Sequence, residues 1–269
     1  MPMNFRMFLI SACLAALAAW PGRAAERSDI PAPTGEVLVA AAADLKFALD
    51  EVMSAFAKTN PTVKVKVTYG SSGNLFAQIN QGAPFDLFLS ADASFPEKLV
   101  AAKLGVEADR FLYAIGRLVV WVPKSSAIDV EKDGIRSLLD PSVKKIALAN
   151  PAHAPYGRTA VATLKHYGVY DSVTNRLVLG ENIMQAAQFV ESGAADIGLL
   201  ARSLAWAPKL REAGKFWEVP EAAHPRLEQG GLVLSTGRQA ASARRIKTLL
   251  TGTDGRAVLA RHGFALPDQ

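Results

Sequence analysis

One repeated pattern constrains this chain more than any other. Val63, Val65, Val67 and Tyr69 alternate with Lys64, Lys66 and Thr68, which is the period of a half-buried strand. Gly70-Ser71-Ser72-Gly73 is small and polar, and Leu75, Phe76 and Ile79 then give the spacing of a short helix face. The same unit of strand, small or polar turn and helix recurs near Asp44, Tyr156 and Ile183. Residues 36–43 are an apolar run, followed by a face of Leu45, Ala48, Leu49, Val52 and Phe56. Residues 145–149 precede the loop 150–157 and a helix over 158–166. Residues 176–180 precede a stripe of Ile183, Ala186, Ala187 and Val190. Strands alternating with helices specify an α/β protein with parallel sheets. Two copies lie before residue 116 and two after. Two lobes facing each other would bring four helix N-termini to one cleft, at the strand ends where open α/β sheets bind ligands. Free N–H groups and helix dipoles favour an anion there.

The rest of the chain fills in around these units. Strands are expected within 82–92, at 116–123, at 196–200, near 216–219 and at 231–235. Helices are expected at 95–104, 239–250 and 256–262. The first residues are basic, Met7 to Trp20 is a short apolar run, and Pro21-Gly22-Arg23-Ala24-Ala25 is a small-residue exit. That pattern predicts a signal peptide over 1–24, then a proline-containing linker over 25–32. The mature chain is therefore expected in the periplasm, starting near Ala25. Its Lys+Arg count falls from 30 to 28 against 25 acids, from a formal charge of +5 to about +3. No basic run or basic-aromatic stripe suggests nucleic acid. The one cysteine, Cys13, lies inside the apolar run. A lipid anchor at Cys13 is disfavoured, because the apolar run continues past it.

Each candidate residue has a plain reading beside a functional one. Ser72, with Ser71 before it, either caps a helix or offers a hydroxyl to an anion. Asp44 is a candidate N-cap. Tyr156 is either a packed aromatic or part of a site, and Arg158 either a solvated helix-start residue or a ligand. Asn182, with Gln185 three residues on, forms a capping-box pattern. Ile183 opens an apolar stripe, so only its backbone is a site candidate. Asp86 and Asp92 read as turn or cap residues. His153, His166, His224 and His262 show no metal-ligand spacing.

Several segments together resemble the periplasmic molybdate-binding proteins of molybdate ABC transporters, within the two-lobed periplasmic binding proteins. They are residues 39–45, 69–75, 82–92, 150–157, 181–183 and 261–264, which keep that family's order. The resemblance implies two α/β lobes, each a mostly parallel sheet flanked by helices, with crossover strands at the hinge. Lobe I takes 33–116 and 231–269, and lobe II takes 117–230. It implies capture of molybdate or tungstate by a monomer and delivery to a membrane permease, with no cofactor. Ser72 falls on a serine that gives hydroxyl and backbone N–H to the oxyanion. Tyr156 and Ile183 fall where backbone N–H groups donate. These are contacts to the oxygens, with no direct ligation of the metal. The turn at Ala43-Asp44 falls where the family has a small polar donor, so the Asp44 carboxylate is a departure. Ala201, where some members supply a tyrosine hydroxyl, is another; Ser71, Arg158 and Asn182 are secondary candidates.

Two rival readings stay open. The ligand can be another tetrahedral oxyanion such as sulfate. Alternatively the chain is a secreted serine hydrolase using Ser72 or Ser71, against which Gly70-Ser71-Ser72-Gly73 lacks the spacing of a nucleophile elbow.

Overall fold

The computed structural model describes residues 35–268. The expected signal peptide over 1–24 and linker over 25–32 lie outside them. Ten strands appear: β1 (Gly35–Ala42), β2 (Val63–Gly70), β3 (Leu87–Ser90), β4 (Gly105–Gly116), β5 (Leu118–Pro123), β6 (Ile146–Ala149), β7 (Leu177–Gly180), β8 (Ile197–Ala201), β9 (Gly214–Glu218) and β10 (Leu227–Leu234). They form two five-stranded sheets, in the orders β2-β1-β3-β10-β4 and β7-β6-β8-β5-β9. One strand of each runs against the other four. In the first sheet it is β10, antiparallel to β3 and β4. In the second it is β5, antiparallel to β8 and β9. The fold is the expected two-lobed α/β fold, but its sheets are mixed rather than mostly parallel, with two parallel and two antiparallel pairings in each.

Sheet position explains the sequence patterns. β1 lies between β2 and β3, is covered on both faces, and is apolar throughout Val37–Ala42. β2 is an edge strand with one face inward, so its valines alternate with lysines. The helix Lys46–Thr59 buries Ala48, Leu49, Val52 and Phe56, and the helix Ile183–Glu191 buries Ile183, Ala186, Ala187 and Val190. Each fully buried leucine, isoleucine, valine or phenylalanine among these contributes roughly 1.5–3 kcal/mol relative to exposure. The core of the second lobe also takes in Ala42, Ala43 and Ala91 from the strand ends of the first. The lobes therefore meet through small residues at the ends of β1 and β3.

The chain passes between lobes twice, at Arg117 and between Glu218 and Leu227. Arg117 forms an ion pair with Glu221, joining the two crossing segments, and its carbonyl accepts from Arg202 N–H at 2.9 Å. Gly230 and Gly231, expected at the second crossing, lie inside β10 and pair with Ser90 and Leu89 of β3. Gly231 is there because the ring of Phe111 lies 2.3 Å from where a Cβ would sit. The last strand of the first sheet thus begins at Leu227, ahead of the expected boundary at 231. β4 has no counterpart among the expected strands. It is an edge strand carrying Glu107, Asp109 and Arg110, with shifts in its register against β10, and it shows no clean alternation.

Candidate functional site

Four strand-to-helix turns meet where the lobes touch. The first follows β1, where Ala43, Asp44 and Leu45 form a short 3-10 turn, all three buried. The second follows β2. Ser71, in extended conformation, is the N-cap of the helix Ser72–Asn80, its Oγ accepting from Asn74 N–H at 3.4 Å. The cap is thus Ser71 rather than Ser72. Ser72 is the first helical residue, and its Oγ accepts from Ala91 N–H at 2.9 Å. That bond anchors the oxygen and leaves the hydroxyl proton free to be donated.

The third turn follows β6. The helix Pro155–His166 starts with Pro155 at its N-terminus and has no side-chain cap. A first-turn N–H such as that of Tyr156 lacks an intrahelical acceptor. The fourth follows β7. Asn182 caps the helix Ile183–Glu191, Oδ1 accepting from Met184 N–H at 3.0 Å and Gln185 N–H at 3.1 Å. The Gln185 side chain reaches back to Glu181 N–H at 2.6 Å. The forward bond of the expected capping box is thus made, and the return bond goes to Glu181 N–H in place of Asn182 N–H.

Ala43, Asp44, Ser71, Ser72, Tyr156, Asn182 and Ile183 all line one small cavity, with Gly70, Ala91 and Ala154 among the remaining walls. Its free volume is about 10 Å³, room for the centre of roughly one water-sized sphere. As it stands the space is far smaller than the roughly 300–1,000 Å³ of pockets for organic ligands. No lysine or arginine is among the lining residues, and Asp44 is the one acid. Among the described residues, no group of three or more His, Cys, Asp or Glu side chains is placed to hold a metal ion. A cleft of about 620 Å³ lies elsewhere, and one of about 480 Å³ adjoins the cavity at Ala91 and Pro155; neither includes the Ser72 turn.

Arg158 does not reach this cavity. Its guanidinium binds Asp92 Oδ2 at 2.6 Å and lies 5.6 Å over the Phe95 ring, joining the lobes at the cleft rim. Asp92 is a turn residue as expected, its Oδ1 accepting from Ser94 N–H at 2.9 Å. Asp86 likewise serves backbone groups, accepting from Leu38 N–H at 2.7 Å and Gln239 N–H at 2.8 Å. Ala201 is fully buried at the end of β8.

Asp44 is not the N-cap that its position suggests: no side-chain cap bond exists at that turn. Its Oδ2 accepts from Gln229 Nε2 at 2.5 Å, and Gln229 Nε2 also reaches Tyr156 Oη at 3.3 Å. The Ser203 hydroxyl donates to the Asp44 carbonyl at 2.9 Å. Burial pushes the Asp44 carboxyl up to about 6, against the lowering effect of its bond from Gln229. The Tyr156 ring is buried in the same network, and burial pushes its phenol well above the ordinary range. Its side chain is therefore the packed aromatic. Gln229 and Ser203 carried no signal in the sequence, since both are remote from Asp44 along the chain.

Across the cleft, Gly73 N–H donates to His153 O at 2.9 Å, and Ser71 Oγ lies 2.9 Å from His153 Nδ1. His153 sits in the 150–157 loop that the sequence marks as a turn, but nothing there indicates its partner.

A protein with two α/β lobes and a small donor-lined cavity at their contact belongs to a known class. The family model described as bacterial extracellular solute-binding protein matches residues 37–265, and the chain belongs to that family. Its relatives include the molybdate-binding protein ModA of Rhodobacter capsulatus, 35% identical over 236 residues, 87% of this chain and 90% of that protein. ModA of Azotobacter vinelandii is 34% identical over 87% of this chain and 92% of its own length. The solved structure of the Azotobacter vinelandii periplasmic molybdate-binding protein aligns with a TM-score of 0.81 at 31% identity, covering 86% of this chain and all of that one. The sulfate-binding protein SubI from Mycobacterium tuberculosis, at 16% identity and a TM-score of 0.68, shares the fold alone.

Proposed function

We propose that this chain is the periplasmic binding protein of a molybdate ABC transporter, working as a monomer that captures molybdate or tungstate between its lobes and hands it to a membrane permease. The observation that carries this reading is the convergence of four strand-to-helix turns on one small cavity without cations. The molybdate-binding relatives, above 30% identical over most of both chains, support it. A tetrahedral dianion needs convergent donors. The Ser72 hydroxyl and N–H, the Tyr156 and Ile183 N–H groups and the Ala43–Asp44 turn would supply about five. Hydrogen bonds to a charged group contribute roughly 1.5–3 kcal/mol each, so five give very roughly 7–15 kcal/mol before the ordering cost of binding. Micromolar affinity requires about 8 kcal/mol. Neutral donors therefore suffice. The lobes would divide at Arg117 and within 219–226, and these segments would act as the hinge.

Titration calorimetry with molybdate, tungstate, sulfate and phosphate tests the reading. Molybdate and tungstate are expected to bind at micromolar concentration or below. Tighter binding of sulfate or phosphate would overturn the molybdate assignment. Ser72→Ala is expected to weaken binding by about 1.5–3 kcal/mol, while Ile183→Val changes little. Equal losses from the two would refute the backbone-donor role of Ile183.

One observation favours a hydrolase as the second reading: Ser71 contacts His153, whose Nε2 faces Glu181 Oε2 at 3.7 Å. That separation is beyond a hydrogen bond, Glu181 is 68% exposed, and Ser71 Oγ already accepts from its own helix. Loss of esterase turnover in Ser71→Ala, if the wild type shows any, is the discriminating assay.

A further inference from the structure

Beside the cavity one buried atom lacks a hydrogen-bond partner. Asp44 is 1% exposed, and its Oδ1 is buried with no hydrogen-bond partner. The side chain neither caps its helix nor pairs with a cation, and among the described residues no cation contributes to its ionisation. Yet Asp44 lines the cavity that we assign to a dianion. An ionised carboxylate and a dianion cannot share so small a space free of cations. We propose that Asp44 receives the oxyanion as a neutral carboxylic acid, so that each captured ion carries one proton into the cleft, shared between Asp44 and the ligand. This rests on the oxyanion reading above. The proton comes from solvent, the only bond formed is O–H, and the proton is released again when the lobes open.

The surroundings allow it. The groups facing the Asp44 side chain are Gln229 from β10, Tyr156 from the helix Pro155–His166, Tyr113 from β4 and the backbone N–H groups of Asp44 and Leu45; the Gln229, Tyr156 and backbone donors favour the charged form, and burial outweighs them. Burial pushes both phenols well above their ordinary range, so neither changes charge between pH 6 and 9. The empty site already binds its proton with a pKa of about 6. Protonating Asp44 at pH 7.5 then weakens binding by only about thirtyfold, since each pH unit is a factor of ten. The repulsion it removes is far larger. At roughly 4 Å and an effective dielectric of 20, it corresponds to a factor of about a million. His153 touches the cavity residue Ser71 and faces Glu181, and a variant at Asp44 separates its own contribution from that pair's.

The test is calorimetry of molybdate binding to the whole mature protein between pH 6.5 and 8.5, repeated at pH 8 in Tris and in HEPES. These buffers differ in ionisation enthalpy. The wild type is expected to lose roughly fifty- to a hundredfold in affinity across that range and to take up close to one proton per ion at pH 8. Asp44→Asn should bind with little pH dependence and no proton uptake. Affinity independent of pH with no uptake by the wild type would overturn the proposal, as would undiminished uptake in Asp44→Asn. If molybdate, tungstate and sulfate all fail to bind at any pH, the oxyanion reading falls and takes this proposal with it. The wild-type measurement stands alone if the variant misfolds.

Discussion

Asp44→Asn is expected to stabilise the ligand-free protein by about 3 kcal/mol at pH 7.5 and to leave its stability unchanged at pH 4. The folded protein holds the Asp44 proton with a pKa of about 6, against 3.8 for an ordinary aspartate, and burial is the largest cause. A carboxyl whose pKa is raised on folding favours the folded state while protonated. Its contribution is complete below about pH 4 and is lost as pH rises through about 6. A difference of about two pH units is worth about 3 kcal/mol. Asparagine has the same shape, can accept from Gln229 and does not titrate. The gain should therefore appear only where the wild-type carboxylate is ionised. Urea denaturation of both proteins at pH 4, 5.5 and 7.5 checks this. An equal stability difference at pH 4 and pH 7.5 would show that charge is not its source.

Gly73→Ala is expected to weaken oxyanion binding by about 2–4 kcal/mol without lowering the stability of the unliganded protein. A Cβ at Gly73 would lie 2.5 Å from the His153 carbonyl oxygen and 3.0 Å from its Cα. Both are backbone atoms of the other lobe, and no rotamer can move them aside. Overpacking of this kind costs about 1–3 kcal/mol. Losing the Gly73 N–H bond to His153 O adds about 0.5–1.5 kcal/mol. Within its own helix alanine is better than glycine by roughly 0.5–1 kcal/mol, so the penalty falls only on the closed arrangement. Calorimetry together with small-angle scattering checks this. The variant should bind weakly and show less compaction with molybdate than the wild type. An unchanged dissociation constant would mean that the Gly73–His153 contact is not part of the liganded state.

The four turns could be read from residues because local chemistry marks them. β1 and β6 lie inside their sheets and are continuously apolar. Pro155 and Asn182 open their helices with residue types suited to the task. What could not be read depends on distant partners. Ser71 and Ser72 divide capping and cavity between them according to which oxygen meets Ala91. Arg158 is drawn from the cavity to Asp92, on the other lobe. The boundary expected at 231 falls on a glycine pair that Phe111 and the pairing with β3 reveal as strand interior. Asp44 has the sequence of a cap, yet Gln229 takes its carboxylate instead.

The placement of β10 bears on how the molecule assembles. This strand fills the gap between β3 and β4, so the first sheet stays in two pieces until the end of the chain arrives. The second sheet draws all its strands from one unbroken stretch, from Leu118 to Glu218, and can finish on its own. Contacts far apart in sequence must meet the entropy of loop closure before they return any stability, and they form slowly. The two halves are therefore expected to fold in reverse of their order of synthesis. The last strand, which also brings Gln229 to the Asp44 carboxylate, sets the moment at which the Ser72 and Asp44 turns become part of a finished sheet.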